Sequence, residues 1–119
     1  MKPDSLPFAQ FIASVLDGRL AEDIRVVDLR GVSSLTDAVV IASATSKPHL
    51  RGLEAEVAKR VRAECDNDSA RISGDPESAW IVMDYFNVIV HLFLPEAREY
   101  YNIESLWKDG KAVDFPHAS

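Results

Sequence analysis

Apolar residues in this chain follow two rhythms, one helical and one extended. From Pro7 to Leu20, the residues Phe8, Phe11, Ile12, Val15 and Leu16 recur every three or four positions, which predicts a helix with one buried face. Ser5 is its candidate cap, Pro7 falls in the first turn, and Gly18 weakens the last. Ile24 to Leu29 is rich in β-branched residues and predicts a strand, followed by a turn at Arg30 to Ser34. Asp37 to Ala42 is apolar at every position from Ala38 onward, which predicts a central strand covered on both faces. Ser46 and Pro48 then mark the start of a long helix. Leu50, Leu53, Val57, Val61 and Cys65 form its apolar stripe, and Glu56 and Arg60 an outer i,i+4 pair. Asp66 to Asp68 ends it.

In the last third, Ala70 to Ser73 predicts a short edge strand and Gly74 to Ser78 a loop. Trp80 to Asp84 and Val88 to Phe93 read as the two strands of a hairpin. Pro95 opens a final helix with Tyr100, Ile103, Leu106 and Trp107 at helical spacing, and a loose tail is expected from Lys108 onward. Residues 1–107 thus read as one domain and 108–119 as its tail. The order α-β-β-α-β-β-β-α predicts an α/β fold, a mixed sheet of about five strands flanked by helices.

Composition narrows the function classes. Of 119 residues, 47% are apolar and 27% charged, the balance of a water-soluble domain. No run approaches the ~18 apolar residues of a membrane helix, and the first residues lack the pattern of a secretory leader. Cys65 is the sole cysteine, so no internal disulfide or paired-cysteine zinc site is available. These features predict a cytoplasmic protein. A net charge of −6 argues against direct sequence-specific nucleic-acid binding and suits a basic partner. The same acidity also serves solubility alone.

Candidate chemistry is sparse. There is no glycine-rich phosphate loop. Ser43-Ala44-Thr45-Ser46 reads as a capping turn rather than an anion site. Asp28, Asp37 and Asp84 lie in or beside strands, where a pair could hold Mg²⁺ for nucleotidyl transfer, yet each also sits where aspartate bonds its own turn. No metal or other cofactor is expected. His91 shares a strand face with Ile89 and Phe93 and reads as a half-buried, bonded histidine. His49 falls in a first helical turn, His117 in the tail, and Cys65 in the packing. Aromatic residues are more telling. Tyr100 and Trp107 fit helical packing, but Tyr85-Phe86 at the hairpin tip, and Trp80 at a strand start, read as interface anchors.

Read in order, these segments form a recognisable set. Asp28-Leu29-Arg30-Gly31, Ser33 to Asp37, Thr45-Ser46, Trp80 to Asp84, Val88 to Phe93, Arg98-x-x-Tyr101 and Leu106-Trp107 together resemble the Iojap/ribosome-silencing-factor (RsfS) family. The resemblance implies a nucleotidyltransferase-like shape without the catalytic set, and hence no enzyme. It implies a partner, the large ribosomal subunit, reached through a basic β-barrel protein (ribosomal protein uL14) on the face that meets the small subunit. It implies an action, steric separation of the subunits that represses translation under nutrient limitation, with a role in large-subunit assembly and a capacity for homodimers. The contact residues then expected are Trp80, Asp84, Tyr85, Phe86, Asn87, Arg98 and Tyr101. A divergent metal-dependent nucleotidyltransferase is the alternative. One departure stands out: the family's hairpin usually turns through Gly-Asp, and Phe86-Asn87 stands here. Asparagine tolerates positive φ and phenylalanine does so poorly, so a different turn type is expected.

Overall fold

All six side chains of strand β2 (Ala38–Ser43) are buried, so both faces of the sheet around it must be covered. A computed structural model describes residues 4–116; His117, read above as part of the tail, lies outside them. The elements are α1 (Ser5–Gly18), β1 (Glu22–Asp28), β2, α2 (Lys47–Cys65), β3 (Arg71–Asp75), β4 (Trp80–Asp84), β5 (Val88–Phe93), α3 (Pro95–Tyr101) and β6 (Lys111–Val113), with 3-10 turns at Pro76–Ser78 and Ile103–Trp107. They build a mixed sheet in the order β3-β4-β5-β2-β1-β6. β2 and β5 run parallel, with Ala38 opposite Val88 and Ser43 opposite Phe93. The crossover between them is α2 with the β3–β4 hairpin.

Helices α1 and α2 close one face. Phe8, Ile12, Val15 and Leu16 of α1 and Leu50, Leu53, Val57 and Val61 of α2 pack on Val40, Ile81, Met83, Val90 and Leu92. Ser46 caps α2 as expected, its Oγ accepting from the His49 N–H at 3.1 Å, and Asp66 ends the helix at φ 50°. Ser5 is not the cap of α1. It lies inside the helix, where its Oγ–H donates to Asp37 Oδ2 at 2.6 Å. Arg60 pairs with Glu64 rather than with Glu56, the other acid one helical turn away. β3 extends to Asp75, through residues expected to be loop.

Two further departures follow from backbone geometry. The helix after Pro95 is not continuous. Asn102 adopts φ 45°, which stops α3 and restarts the chain as a 3-10 turn, so Ile103 and Trp107 pack on a different line from Ala97. The segment from Lys108 is not all loose either. Lys111–Val113 pairs with β1 as a sixth strand, Val26 opposite Val113 and Asp28 opposite Lys111. Three residues are too few for a periodic signal, which is why it escapes sequence reading.

Gly110 makes that pairing possible. A Cβ there would lie 2.5 Å from Val27 Cγ1 and 2.8 Å from Leu29 Cδ2, so only glycine lets the chain approach β1 this closely. Gly110→Ala is expected to destabilise the fold by roughly 1–3 kcal/mol through overpacking. In a hydrogen-exchange measurement the amides of Lys111–Val113 should lose protection first; unchanged protection would contradict this role.

Candidate docking surface

On the face turned away from α1 and α2, the cover is incomplete. Register sets Trp80, Val82 and Asp84 of β4 opposite Phe93, His91 and Ile89 of β5, and directly opposed residues share a face. Ala97, Ile103 and Trp107 cover the neighbouring part, over Leu29, Val39, Ile41 and Phe93. That leaves Trp80, Val82, Asp84 and Ile89 half-exposed along one stripe. From Trp80 to Asp84 it spans about 13 Å.

Trp80 is the centre of a ring cluster. Its indole stacks on Phe93 with centroids 5.0 Å apart and lies 4.8 Å from Tyr101 and 5.9 Å from His91. Trp107 approaches His91 at 5.4 Å, and Tyr100 meets Tyr101 edge-on at 5.1 Å. The outer surface is open: Tyr100 is 82% and Tyr101 49% exposed. Phe93 and Trp107 are not among the contact residues expected from the sequence. Counting the hairpin register, which pairs Trp80 with Phe93, is the signal that finds the first of them. Trp107 joins because the 3-10 turn redirects it.

The indole is held from below. Trp80 Nε1–H donates to His91 Nδ1 at 3.1 Å, which places the proton of the neutral imidazole on Nε2. Burial pushes the His91 pKa down to about 4, against the opposing field of Asp84. His91 is therefore the bonded histidine that its strand position suggests.

The expected contact residues do not all face outward. Trp80 and Tyr101 are brought together. Arg98, at 7% exposure, is a strut inside the protein. Its Nη1–H groups donate to the Asp23 carbonyl at 2.8 Å and Ser43 Oγ at 2.9 Å, and its Nε–H to Glu104 Oε1 at 2.9 Å. It fixes α3, and with it Tyr101, to a bulge in β1, to β2 and to the 3-10 turn. Tyr85 also points inward. It is 4% exposed and meets Phe8 edge-on at 5.4 Å, and burial pushes its phenol up to about 12. The alternation that sends Met83 toward the helices continues through Tyr85.

The turn that follows is strained. Phe86, 76% exposed, takes φ 80° despite its bulk. Asp84 Oδ1 accepts the Phe86 N–H at 2.8 Å, and the Tyr85 carbonyl accepts the Asn87 N–H at 3.0 Å. The positive φ thus falls on Phe86 and not on Asn87, whose side-chain amide donates to Ser5 Oγ at 3.1 Å.

The carboxylates weighed for metal chemistry have local partners. Arg30 binds Asp28 through its side chain and its backbone N–H, and holds that carboxyl below the usual range. Asp37 binds Ser5 and Asp84 the turn. Asp28 and Asp84 stand three strand spacings apart, about 14 Å. Among the described residues no three histidine, cysteine, aspartate or glutamate side chains gather as a metal-holding group, and no helix is long and apolar enough to cross a membrane.

The geometry defines a mixed α/β domain with an aromatic, partly open sheet face and, among the described residues, no gathered reactive groups. Residues 2–119 match the family model described as "Ribosomal silencing factor during starvation". The chain is similar to the "Ribosomal silencing factor RsfS" of Zymomonas mobilis, 35% identical over 107 residues, 90% of this chain and 80% of the relative. It is also similar to the mouse protein named "Mitochondrial assembly of ribosomal large subunit protein 1", 34% identical over 81% of this chain and 43% of that one. A crystal structure from Chromobacterium violaceum superposes with a TM-score of 0.76 at 25% identity, covering 98% of this chain and 95% of the other. The chain belongs to the RsfS family of ribosomal silencing factors.

His91 makes stability depend on pH. Its pKa is about 4 in the folded protein against 6.5 for the free side chain, so the unfolded chain binds the proton more readily. This contribution is fully present above pH 6.5 and is lost as pH falls toward 4, about 3 kcal/mol in total. His91→Gln should flatten the urea midpoint over that window; an equally steep fall in the variant would assign the dependence elsewhere.

Proposed function

We propose that this protein occupies a site on the large ribosomal subunit through the Trp80 face and acts by being in the way of the small subunit. The observation that carries the reading is the ring cluster: Trp80 braced by Phe93 and His91, with Tyr101 packed beside it and its outer edge open. Rigid aromatic anchors of this kind dominate binding energy at protein interfaces. Asp84, half-exposed at the far end of the stripe, and a net charge of −6 give the molecule an acidic character. That character suits a basic ribosomal protein, and we assign this role to uL14. Trp80, Tyr101, Asp84 and Phe86 make the contact in this reading. Arg98, Tyr85 and Asn87 support it from inside, by holding α3 and the turn. The protein works in the cytoplasm beside its ribosome, and blocking subunit joining represses translation when nutrients are limiting. No chemical step is required. The name of the mouse relative favours a second use of the same contact, during assembly of the large subunit.

Trp80→Ala should weaken co-sedimentation with purified large subunits by about 2–3 kcal/mol, roughly 30- to 150-fold in Kd. A circular dichroism melt separates lost contact from lost fold. Full binding by a folded variant would remove Trp80 from the contact.

Phe86 gives a sharper comparison, because a bulky residue at φ 80° is retained at a strained position. Phe86→Gly should raise stability by about 1 kcal/mol through relief of that strain and at the same time weaken binding to large subunits. A stabilised variant that binds as well as the parent would place the hairpin tip outside the interface.

A further inference from the structure

The outward face of α2 carries charge of the wrong sign for an acidic protein. Leu50, Leu53, Val57 and Val61 point to the core. With 100° per residue, an arc of about 140° on the opposite side holds Pro48, Arg51, Gly52, Ala55, Ala58, Lys59, Arg62 and Ala63. All of these but Gly52 and Ala58 are exposed, and those two are intermediate. No aspartate or glutamate lies within the arc: Glu54 and Glu56 flank it, and Glu64 is held by Arg60. Several cations outside the arc are neutralised. Arg25, Arg30, Lys47, Arg60 and Arg98 each lie within reach of a carboxylate. Arg51, Lys59 and Arg62 have no salt bridge among the described residues; Arg19, Arg71, Lys108 and Lys111 share that property but lie on other elements.

We propose that this arc binds the phosphate backbone of double-helical RNA. Three cations without a salt bridge are spread over about 16 Å of one helix face, measured from Arg51 to Arg62. The residues between them on this face are Gly52, Ala55 and Ala58, all small, so the helix can approach a rigid polyanion closely. The arc has no aromatic or large aliphatic side chain, the anchors that a protein partner buries, whereas phosphate recognition needs only positioned lysine and arginine. The rest of the surface carries the excess negative charge, so the field of the whole molecule turns this arc toward RNA. Since α2 lies across the sheet from the Trp80 face, a single molecule can meet a basic protein on one side and RNA on the other. The inference rests on the proposed ribosomal function only for which RNA is met, ribosomal RNA; the phosphate contact itself is independent of it.

The test uses the full chain and a fluorescent RNA duplex of arbitrary sequence, with affinity measured by anisotropy across salt concentrations. Three phosphate contacts give a slope of log K against log salt of about −2 to −3, a loss of roughly twenty- to fortyfold between 50 and 200 mM. The triple substitution Arg51→Gln, Lys59→Gln, Arg62→Gln keeps helix-forming residues at exposed sites and should abolish both binding and slope. Arg51→Lys with Arg62→Lys should keep them, and Trp80→Ala should leave them unchanged, which separates this contact from the docking face. The proposal is overturned if the parent protein does not bind the duplex at 50 mM salt, or if the triple variant, folded by circular dichroism, binds as the parent does. Binding of phosphatidylglycerol vesicles, or of an acidic protein, without binding of the duplex would overturn it equally.

Discussion

Covering β2 from both faces is the constraint on which the rest of the molecule depends. Two helices of ordinary length close one side. The other side must be closed by whatever follows β5, and the chain does this with seven helical residues and a 3-10 turn. That cover reaches Val39 and Ile41 through Ile103 and Trp107, then ends. Of β4, the cover reaches only Trp80, through Tyr101. The half-exposed stripe is therefore a direct result of how the core is completed, and the rings that border it are the edge of that cover.

Arg98 shows how far the cover depends on polar contacts. A buried guanidinium is tolerated when hydrogen bonds compensate it, and removal of its partners leaves a charge in a poor solvent. Here the Asp23 carbonyl, Ser43 and Glu104 supply acceptors from three separate elements. An apolar residue in its place would pack but would not choose among positions of α3. The directional bonds do choose, and the placement of Tyr101 against Trp80 follows from them.

Elements with strong periodicity are legible in the amino-acid sequence. α1, α2, β2 and both hairpin strands fall where apolar spacing puts them, and Ser46 caps α2 as its position suggests. Effects of single backbone angles and of close approach are not legible in the same way. Asn102 at φ 45° divides a helix that the spacing of Tyr100, Ile103 and Trp107 makes look continuous. Gly110 admits a three-residue strand that no pattern announces. At the candidate site, the pairing of Trp80 with Tyr101 agrees with the ordered set of motifs. The inward turn of Tyr85 does not, because aromatic character at a hairpin tip says nothing about which face the alternation delivers it to. Arg98 is the same kind of case: a charged residue near a motif reads as surface, and only tertiary partners reveal it as interior.

The last strand of the sheet has a bearing on how the protein is made. β6 closes on β1, which lies some eighty residues earlier in the chain. While the polypeptide is still leaving the exit tunnel, the outer edge of β1 is a row of unsatisfied amides and carbonyls. Nascent copies on neighbouring ribosomes are thus exposed to edge-to-edge pairing until synthesis passes Val113, because non-local strand closure is slow and comes late.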